Sequence, residues 1–313
     1  MSRVDVLVAT YNGEKYIAQQ LESIIMQSHK DIRIIISDDC STDNTRNILK
    51  HYKSIDSRIQ LILNEKNKGL VANFEQLLGL VTSPYFAFSD QDDIWMLDKL
   101  EKQMQIISKG EFNMVISDVL VVDENLKGNE VLLFNNSNFR SKLMKYNDIR
   151  LEYISNCAIG CTILAKKEII EKNLPLPKNT FVIHDYYLAI IAGLTGKIYF
   201  IEEPLVKYRQ HGNNLIGAGK ENFESFQKAR ESFIQKKIEL FTLYKSLNNL
   251  FTDKLKKQNN SFLNKLKKDK LTKVMSFKGI ILFFNVYKFE PLKVKIKALF
   301  ILNFPVLIKH FFK

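Results

Sequence analysis

At 313 residues, 46% hydrophobic and 26% charged, the chain has a globular composition and length for one large domain with an appendage or two small ones. Its net charge of +12 is unevenly held: fifteen lysines and only two acidic residues lie between Lys254 and Lys313, leaving 31 basic and 32 acidic residues in the first 253. A neutral body with no recognised nucleic-acid module excludes a nucleic-acid partner, and three cysteines, Cys40, Cys157 and Cys161, exclude a disulfide framework.

The opening MSRVDVLVATYNG runs into a strand pattern with no separate charged, apolar and cleavage regions, so no signal peptide is expected. Val4 to Thr10 is a β-branched run ending in the turn residues Tyr11-Asn12-Gly13. Ile17, Leu21, Ile24 and Ile25 then share one helical face. Ile32 to Ser37 is almost wholly apolar, as in a parallel strand buried on both faces. It ends in DDCSTDNT, where Ser41, Thr42 and Asp43 each offer a helix N-cap. A helix over Arg46 to Tyr52, a strand over Ile59 to Leu63 and, after Asn67-Lys68-Gly69, a helix over Val71 to Leu80 follow. Tyr85 to Phe88 reads as a strand, SDQDDIW as a loop, Leu97 to Ile107 as a helix and Met114 to Ser117 as a strand.

From Asn125 to Tyr153 the pattern weakens into a surface excursion; order returns at Cys157 to Ala165. A helix is expected after His184-Asp185 and a strand over Lys197 to Ile201. Beyond Ala218 the spacing is helical only, with Ile234, Ile238, Phe241 and Tyr244 on one face. No apolar run reaches the roughly eighteen residues of a spanning helix. The expected organisation is a domain over 1–217, with a nucleotide-binding half to about 120 and an acceptor half beyond it, and a helical, basic extension over 218–313.

Repeated β-α-β units predict an α/β fold, a Rossmann-like doubly wound, mostly parallel sheet with ligands at the carboxyl ends of its strands. Those ends carry Thr10-Tyr11-Asn12, Asp38-Asp39 and Asp90-Gln91-Asp92. Carboxylates as close as Asp90, Asp92 and Asp93 repel one another unless a cation lies between them, and Mg2+ or Mn2+ suits oxygen ligands that leave room for phosphate. The competing role is capping of a helix starting near Ile94. Asp38-Asp39 fits either hydrogen bonding to a nucleobase or ribose or a turn, and Tyr11 either base stacking or packing.

VATYNGEKYI, SDDCSTDNT, NKGLVANFE and SDQDDIW, in that order and spacing, resemble the GT-A glycosyltransferases of family 2. HDYYLA at 184 to 189 and YRQHGNN at 208 to 214 resemble its rhamnosyltransferase-like branch. The resemblance covers about the first 215 residues. It implies that Thr10, Tyr11 and Asp39, with Asp38, hold the nucleobase and ribose, and that Asn12 and Lys68 belong to the same nucleotide-sugar site. Asp92 would contact the metal, and Asp90 the ribose, the metal or its water. His211 would reach the metal or diphosphate with Arg209 nearby, and Asp185 would be the general base. For Asp185 a helix N-cap is the competing role; His184 would orient the site.

Tyr186-Tyr187 stand where the branch has two tryptophans, and the Gln-x-x-Arg-Trp motif of processive synthases is absent, which favours transfer of a single sugar. By resemblance the donor is dTDP-rhamnose, with UDP-hexoses or UDP-N-acetylhexosamines as the alternative, and the acceptor is a saccharide, lipid-linked in cell-surface polysaccharide synthesis. A nucleotidyltransferase would need a Gly-rich basic loop where TYNGEKY stands, and a non-catalytic sugar-nucleotide binder would be expected to lack some of these carboxylates. The lysine-rich tail is read as a surface for anionic lipid, placing the protein peripherally on the cytoplasmic face of the plasma membrane. The competing role is a helical face packed on the body or on another subunit.

Overall fold

A computed structural model describes residues 2–128, 158–177 and 183–212. The expected extension over 218–313, the lysine-rich tail, Cys157 and most of the excursion before Tyr153 lie outside these residues.

Eight strands form one mixed sheet: β1 (Val4–Thr10), β2 (Ile32–Asp38), β3 (Ile59–Leu63), β4 (Tyr85–Ser89), β5 (Ile94–Trp95), β6 (Met114–Val122), β7 (Leu164–Lys166) and β8 (Ile198–Arg209). Their order is β3-β2-β1-β4-β7-β6-β8-β5. The first four are parallel, β7 runs antiparallel to both β4 and β6, β6 and β8 are parallel, and β5 is antiparallel to β8. The helices are α1 (Ile17–Ile25), α2 (Thr45–Ile55), α3 (Leu70–Leu78), α4 (Lys99–Ile107), the single turn α5 (Glu168–Glu171) and α6 (His184–Thr195).

All seven residues of β1 are buried, as are Ile34, Ile35 and Ile36 of β2, because helices cover both faces of the parallel half. The one carboxylate in that strand, Asp5, is satisfied completely. Arg33 grips it through Nε (3.0 Å) and Nη2 (2.6 Å), and the backbone N–H groups of Thr82 (2.8 Å) and Ser83 (3.0 Å) and the Ser83 hydroxyl (2.6 Å) donate to it. Burial pushes the Asp5 carboxyl up, but these donors outweigh it and hold the group below its ordinary value. Asp5→Ala would strand the Arg33 guanidinium and two buried donors. It should cost about 3–5 kcal/mol, read as a lower urea midpoint at unchanged m.

Several boundaries differ from the sequence expectation. The β8 strand does not stop at Ile201; it runs to Arg209, and after an irregularity around Glu202 to Leu205 its pairing with β6 resumes over Val206 to Arg209. Pro204, which has no N–H to give the ladder, sits opposite Asp118 where the register shifts. SDQDDIW is not wholly loop, since Ile94 and Trp95 pair with Lys207 and Val206. The helix expected at Ile94 or Leu97 begins at Lys99. None of Ser41, Thr42 and Asp43 is the N-cap of α2, which is Asn44, although Asp43 accepts the Thr45 N–H (3.0 Å).

Candidate active site

Three loops leave the carboxyl ends of β1, β2 and β4 side by side, and Thr10 lies opposite Asp38 in register. The first two loops are zipped together. Asn12, held at φ 48°, accepts the Thr42 N–H (2.8 Å) and gives its own N–H to the Ser41 hydroxyl (2.9 Å). Gly13 donates to Thr45 Oγ1 (2.8 Å). A side chain at Gly13 would collide with Gln91, its Cβ only 2.3 Å from Oε1.

Gln91, the middle of Asp90-Gln91-Asp92, is therefore no mere spacer. Its amide accepts the Tyr11 N–H (2.9 Å) and donates to the Tyr11 carbonyl (3.1 Å), fastening the first loop to the carboxylate loop. Tyr11 itself is 46% exposed, a position free to meet a ligand.

Asp38 and Asp39 hold the protein's own groups here. Asp38 accepts from Arg46 Nε (2.6 Å), Ser41 N–H (3.1 Å), Thr10 Oγ1 (3.2 Å) and the Ser41 hydroxyl. Asp39 accepts the N–H groups of Lys68 and Gly69 (2.8 Å each), so it fixes the turn into α3. Gly69 has a φ of 84°, which favours glycine. The Lys68 ammonium is engaged with Gln76.

Beyond them Asp90, Asp92, Asp93 and Asp185 converge. Burial pushes Asp90 well above the carboxylate range, reinforced by the charges of Asp93, Asp92 and Asp185. Burial and then the Asp92 charge bring Asp93 up to about 7. The carboxylate oxygens of Asp90 and Asp93 and the Cys161 sulfur lie within 4.8 Å of one another. Burial raises the Cys161 thiol too, so it stays a neutral donor toward Asp93.

Asp92 Oδ2 lies 2.9 Å from His211 Nε2, pairing two residues 119 positions apart that the sequence had proposed as metal ligands. Helix capping does not explain the carboxylate run, because α4 starts six residues after Asp93. Like charges crowded out of water, next to an imidazole nitrogen, make a donor set that fits a Mg2+ or Mn2+ ion.

Asp185 stands in the first turn of α6, whose N-cap is Ile183, not Asp185. Its Oδ2 accepts the Gly160 N–H (3.0 Å) and its Oδ1 the Tyr186 N–H (2.6 Å). The neighbouring His184 is stacked on Phe74 (3.8 Å) and edge-on to Phe88 (5.0 Å). Both its ring nitrogens are buried without a hydrogen bond, and burial pushes it down to about 3. A Cβ at Gly160 would stand 3.6 Å from both His184 Nε2 and Asp185 Oδ2.

Arg209 does not extend toward a ligand. It is 2% exposed, and its guanidinium donates to the Asp92 carbonyl, the Glu124 carbonyl and Gln19 Oε1, each at 2.7 Å. Sequence reading counts Asp93 among the crowded carboxylates but gives it no role of its own in the site, and it gives none to Gln91, Gly13 or Gly160. The available signals were a polar residue between two ligands and glycines beside the motif residues.

This arrangement has known relatives. A family model described as glycosyl transferase family 2 matches residues 5–174. The chain belongs to that family. It is 35% identical over 224 residues to the dTDP-rhamnosyl transferase RfbG of Shigella flexneri, spanning 67% of this chain and 74% of that protein. It is 29% identical over 188 residues to the UDP-Glc:alpha-D-GlcNAc-diphosphoundecaprenol beta-1,3-glucosyltransferase WfgD of Escherichia coli, spanning 59% and 67%. Among solved structures, S. aureus TarS 1-349 superposes with a TM-score of 0.60 at 19% identity, covering 95% of this chain and 83% of that one. As a family 2 glycosyltransferase with this mixed sheet, the chain has the GT-A fold.

Proposed function

We propose that this glycosyltransferase moves one sugar, with inversion, from a nucleotide donor to a saccharide acceptor. The observation that carries the reading is the placing of a backbone-anchored carboxylate, Asp185, beside the Asp90-Asp92-His211 donor set. A sugar hydroxyl is a weak nucleophile at neutral pH and needs a base as it attacks. Asp185 takes the hydroxyl proton while the new bond forms at the anomeric carbon, and the bond to the diphosphate oxygen breaks on the opposite face. That single in-line displacement inverts the centre.

Asp92 and His211, with Asp90, would hold the divalent cation. When bound, such an ion supplies positive charge to the departing diphosphate. Tyr11 and the Asp38–Asp39 loop would seat the nucleoside, the loop through its fixed shape, and Asn12 and Lys68 would frame that seat. The alignment with RfbG favours dTDP-rhamnose as donor, and WfgD supports a UDP-sugar as the second reading. WfgD's diphosphoundecaprenol-linked substrate also supports a lipid-borne acceptor in cell-surface polysaccharide synthesis. The fifteen lysines from Lys254 onward would then meet anionic lipid on the cytoplasmic face. Among the described residues no helix is long and apolar enough to cross a membrane.

Thermal unfolding against dTDP, UDP, GDP and CDP, each with and without Mn2+, tests the donor site. Ligand at a hundred times its dissociation constant adds about 2.7 kcal/mol, a rise of a few degrees for a domain of this size. The expected result is a shift with dTDP that needs Mn2+ and vanishes in Asp92→Ala. A UDP-selective shift would keep the chemistry and replace the sugar. Folded protein that responds to no nucleotide would overturn the reading.

A further inference from the structure

Arg209 poses a problem that the proposed chemistry leaves unanswered. A fully buried arginine is among the most expensive side chains to desolvate, and it is kept only where every donor finds a partner. Its partners come from three distant parts of the chain. Nε holds the carbonyl of Asp92, Nη1 the carbonyl of Glu124 after β6, and Nη2 the side chain of Gln19 on α1. The Arg209 backbone N–H donates to Asp93 Oδ1 (3.1 Å), so Arg209 holds residues 92–93 twice, once from its main chain and once from its side chain. The guanidinium carbon also lies 4.5 Å from the centre of the Tyr16 ring, and that ring lies 4.6 Å from the imidazole of His211.

The consequence is geometric. Asp92 and His211 meet at 2.9 Å, yet they sit on separate segments, one before β5 and one just past β8. The β5–β8 pair brings the two segments together at Ile94 and Lys207, and Gln91 ties the loop to Tyr11, but neither contact reaches the Asp92 carbonyl. The clamp does: it fixes the Asp92 main chain by its carbonyl, pins Asp93 to the end of β8, and seats Tyr16 between Arg209 and His211.

We propose that Arg209 is a positioning residue that sets the protein's affinity for its divalent cation without touching the ion, by holding Asp92 and His211 in register. The proposal rests on the reading of those two residues as metal ligands. Groups that orient ligands from behind typically carry a 10–100-fold effect on metal affinity. Arg209→Met should therefore weaken Mn2+ binding by roughly 10–100-fold. Arg209→Lys should recover only part of it, because an ammonium lacks the fork that serves three acceptors at once.

The experiment is direct titration of the full chain with Mn2+ alone, read by electron paramagnetic resonance at fixed ionic strength, alongside the unfolding temperature of each protein. The expected order of affinity is wild type, then Gln19→Leu, which removes one arm of the clamp and leaves Arg209 in place, then Arg209→Lys, then Arg209→Met. Gln19→Leu and Arg209→Lys decide the matter should Arg209→Met not fold. Variants that unfold more readily yet bind Mn2+ as wild type does would show that the arginine only braces the fold, and would overturn the proposal. Asp92→Asn is the separate control: a wild type that binds no Mn2+, or binds it equally well with Asp92→Asn, would sink the metal site itself and the clamp's role with it.

Discussion

Asp185→Asn should cut sugar transfer by roughly 10²–10⁴-fold, the range a positioned general base contributes, while Mn2+-dependent nucleotide binding stays within a few-fold of wild type. Asn keeps the size of the side chain and removes its basicity. It also disturbs the anchoring slightly. Both Asp185 oxygens accept backbone N–H groups, from Gly160 and Tyr186, and an amide can accept only one of them. A small fall in unfolding temperature is therefore expected alongside the large fall in rate, and comparison of kcat with nucleotide affinity separates the two. His184 cannot stand in as the base. Burial between Phe74 and Phe88 holds it near 3, far too weak to take a hydroxyl proton at neutral pH. Transfer by Asp185→Asn at more than a tenth of the wild-type rate would place the base elsewhere and remove the central support for a single displacement.

The parallel half of the fold was readable because its physics is local. VDVLVAT and IRIIIS are apolar runs interrupted only by Asp5 and Arg33, which pair with each other, before the polar residues at their ends, the pattern of strands covered on both faces. The second half of β8 was not readable, since EEPLVKYR combines two acids and a proline that argue against a strand on their own. Long-range pairing with β6 overrides them. The same division holds in the site. Asp90, Asp92 and Asp185 announce themselves at strand and helix ends, whereas Asp93 looks in sequence like one more member of an acidic run. Only the fold turns it inward, toward Cys161 and the Arg209 N–H, while Asp92 faces His211. The resemblance of YRQHGNN implies a place for Arg209 near the diphosphate. Its actual partners are two carbonyls and an amide scattered over 105 positions from Gln19 to Glu124, and no sequence pattern joins those.

Lys99→Met should make the metal-free protein more stable at pH 7, by about 1–4 kcal/mol on the scale of replacing buried ionic groups with apolar ones. Lys99 is fully buried on α4, with Nζ 3.0 Å from Gln103 Oε1 and 3.9 Å from the centre of the Trp95 ring. Among the described residues it forms no ion pair with a carboxylate. Burial lowers it from 10.5 to about 7. Between those values the unfolded chain still binds the proton that the folded chain has released, so stability rises as pH increases from about 7 toward 10.5 and is flat below. The full span is about 5 kcal/mol at 1.36 kcal/mol per pKa unit. Asp93 acts in the window below, where the folded protein keeps a proton that the unfolded chain loses from 3.8 upward. Its contribution therefore falls as pH rises from 3.8 to about 7. His184, lowered from 6.5 to about 3, acts in the opposite sense over most of that window, so the alkaline arm is the one that reads Lys99. Urea unfolding at pH 7 and pH 9 reads the alkaline arm: wild type should gain stability between them, and Lys99→Met should not. Equal stability of wild type at the two pH values would mean that the ammonium keeps its charge in the core, balanced by a negative group, and the Met variant would then be the less stable protein.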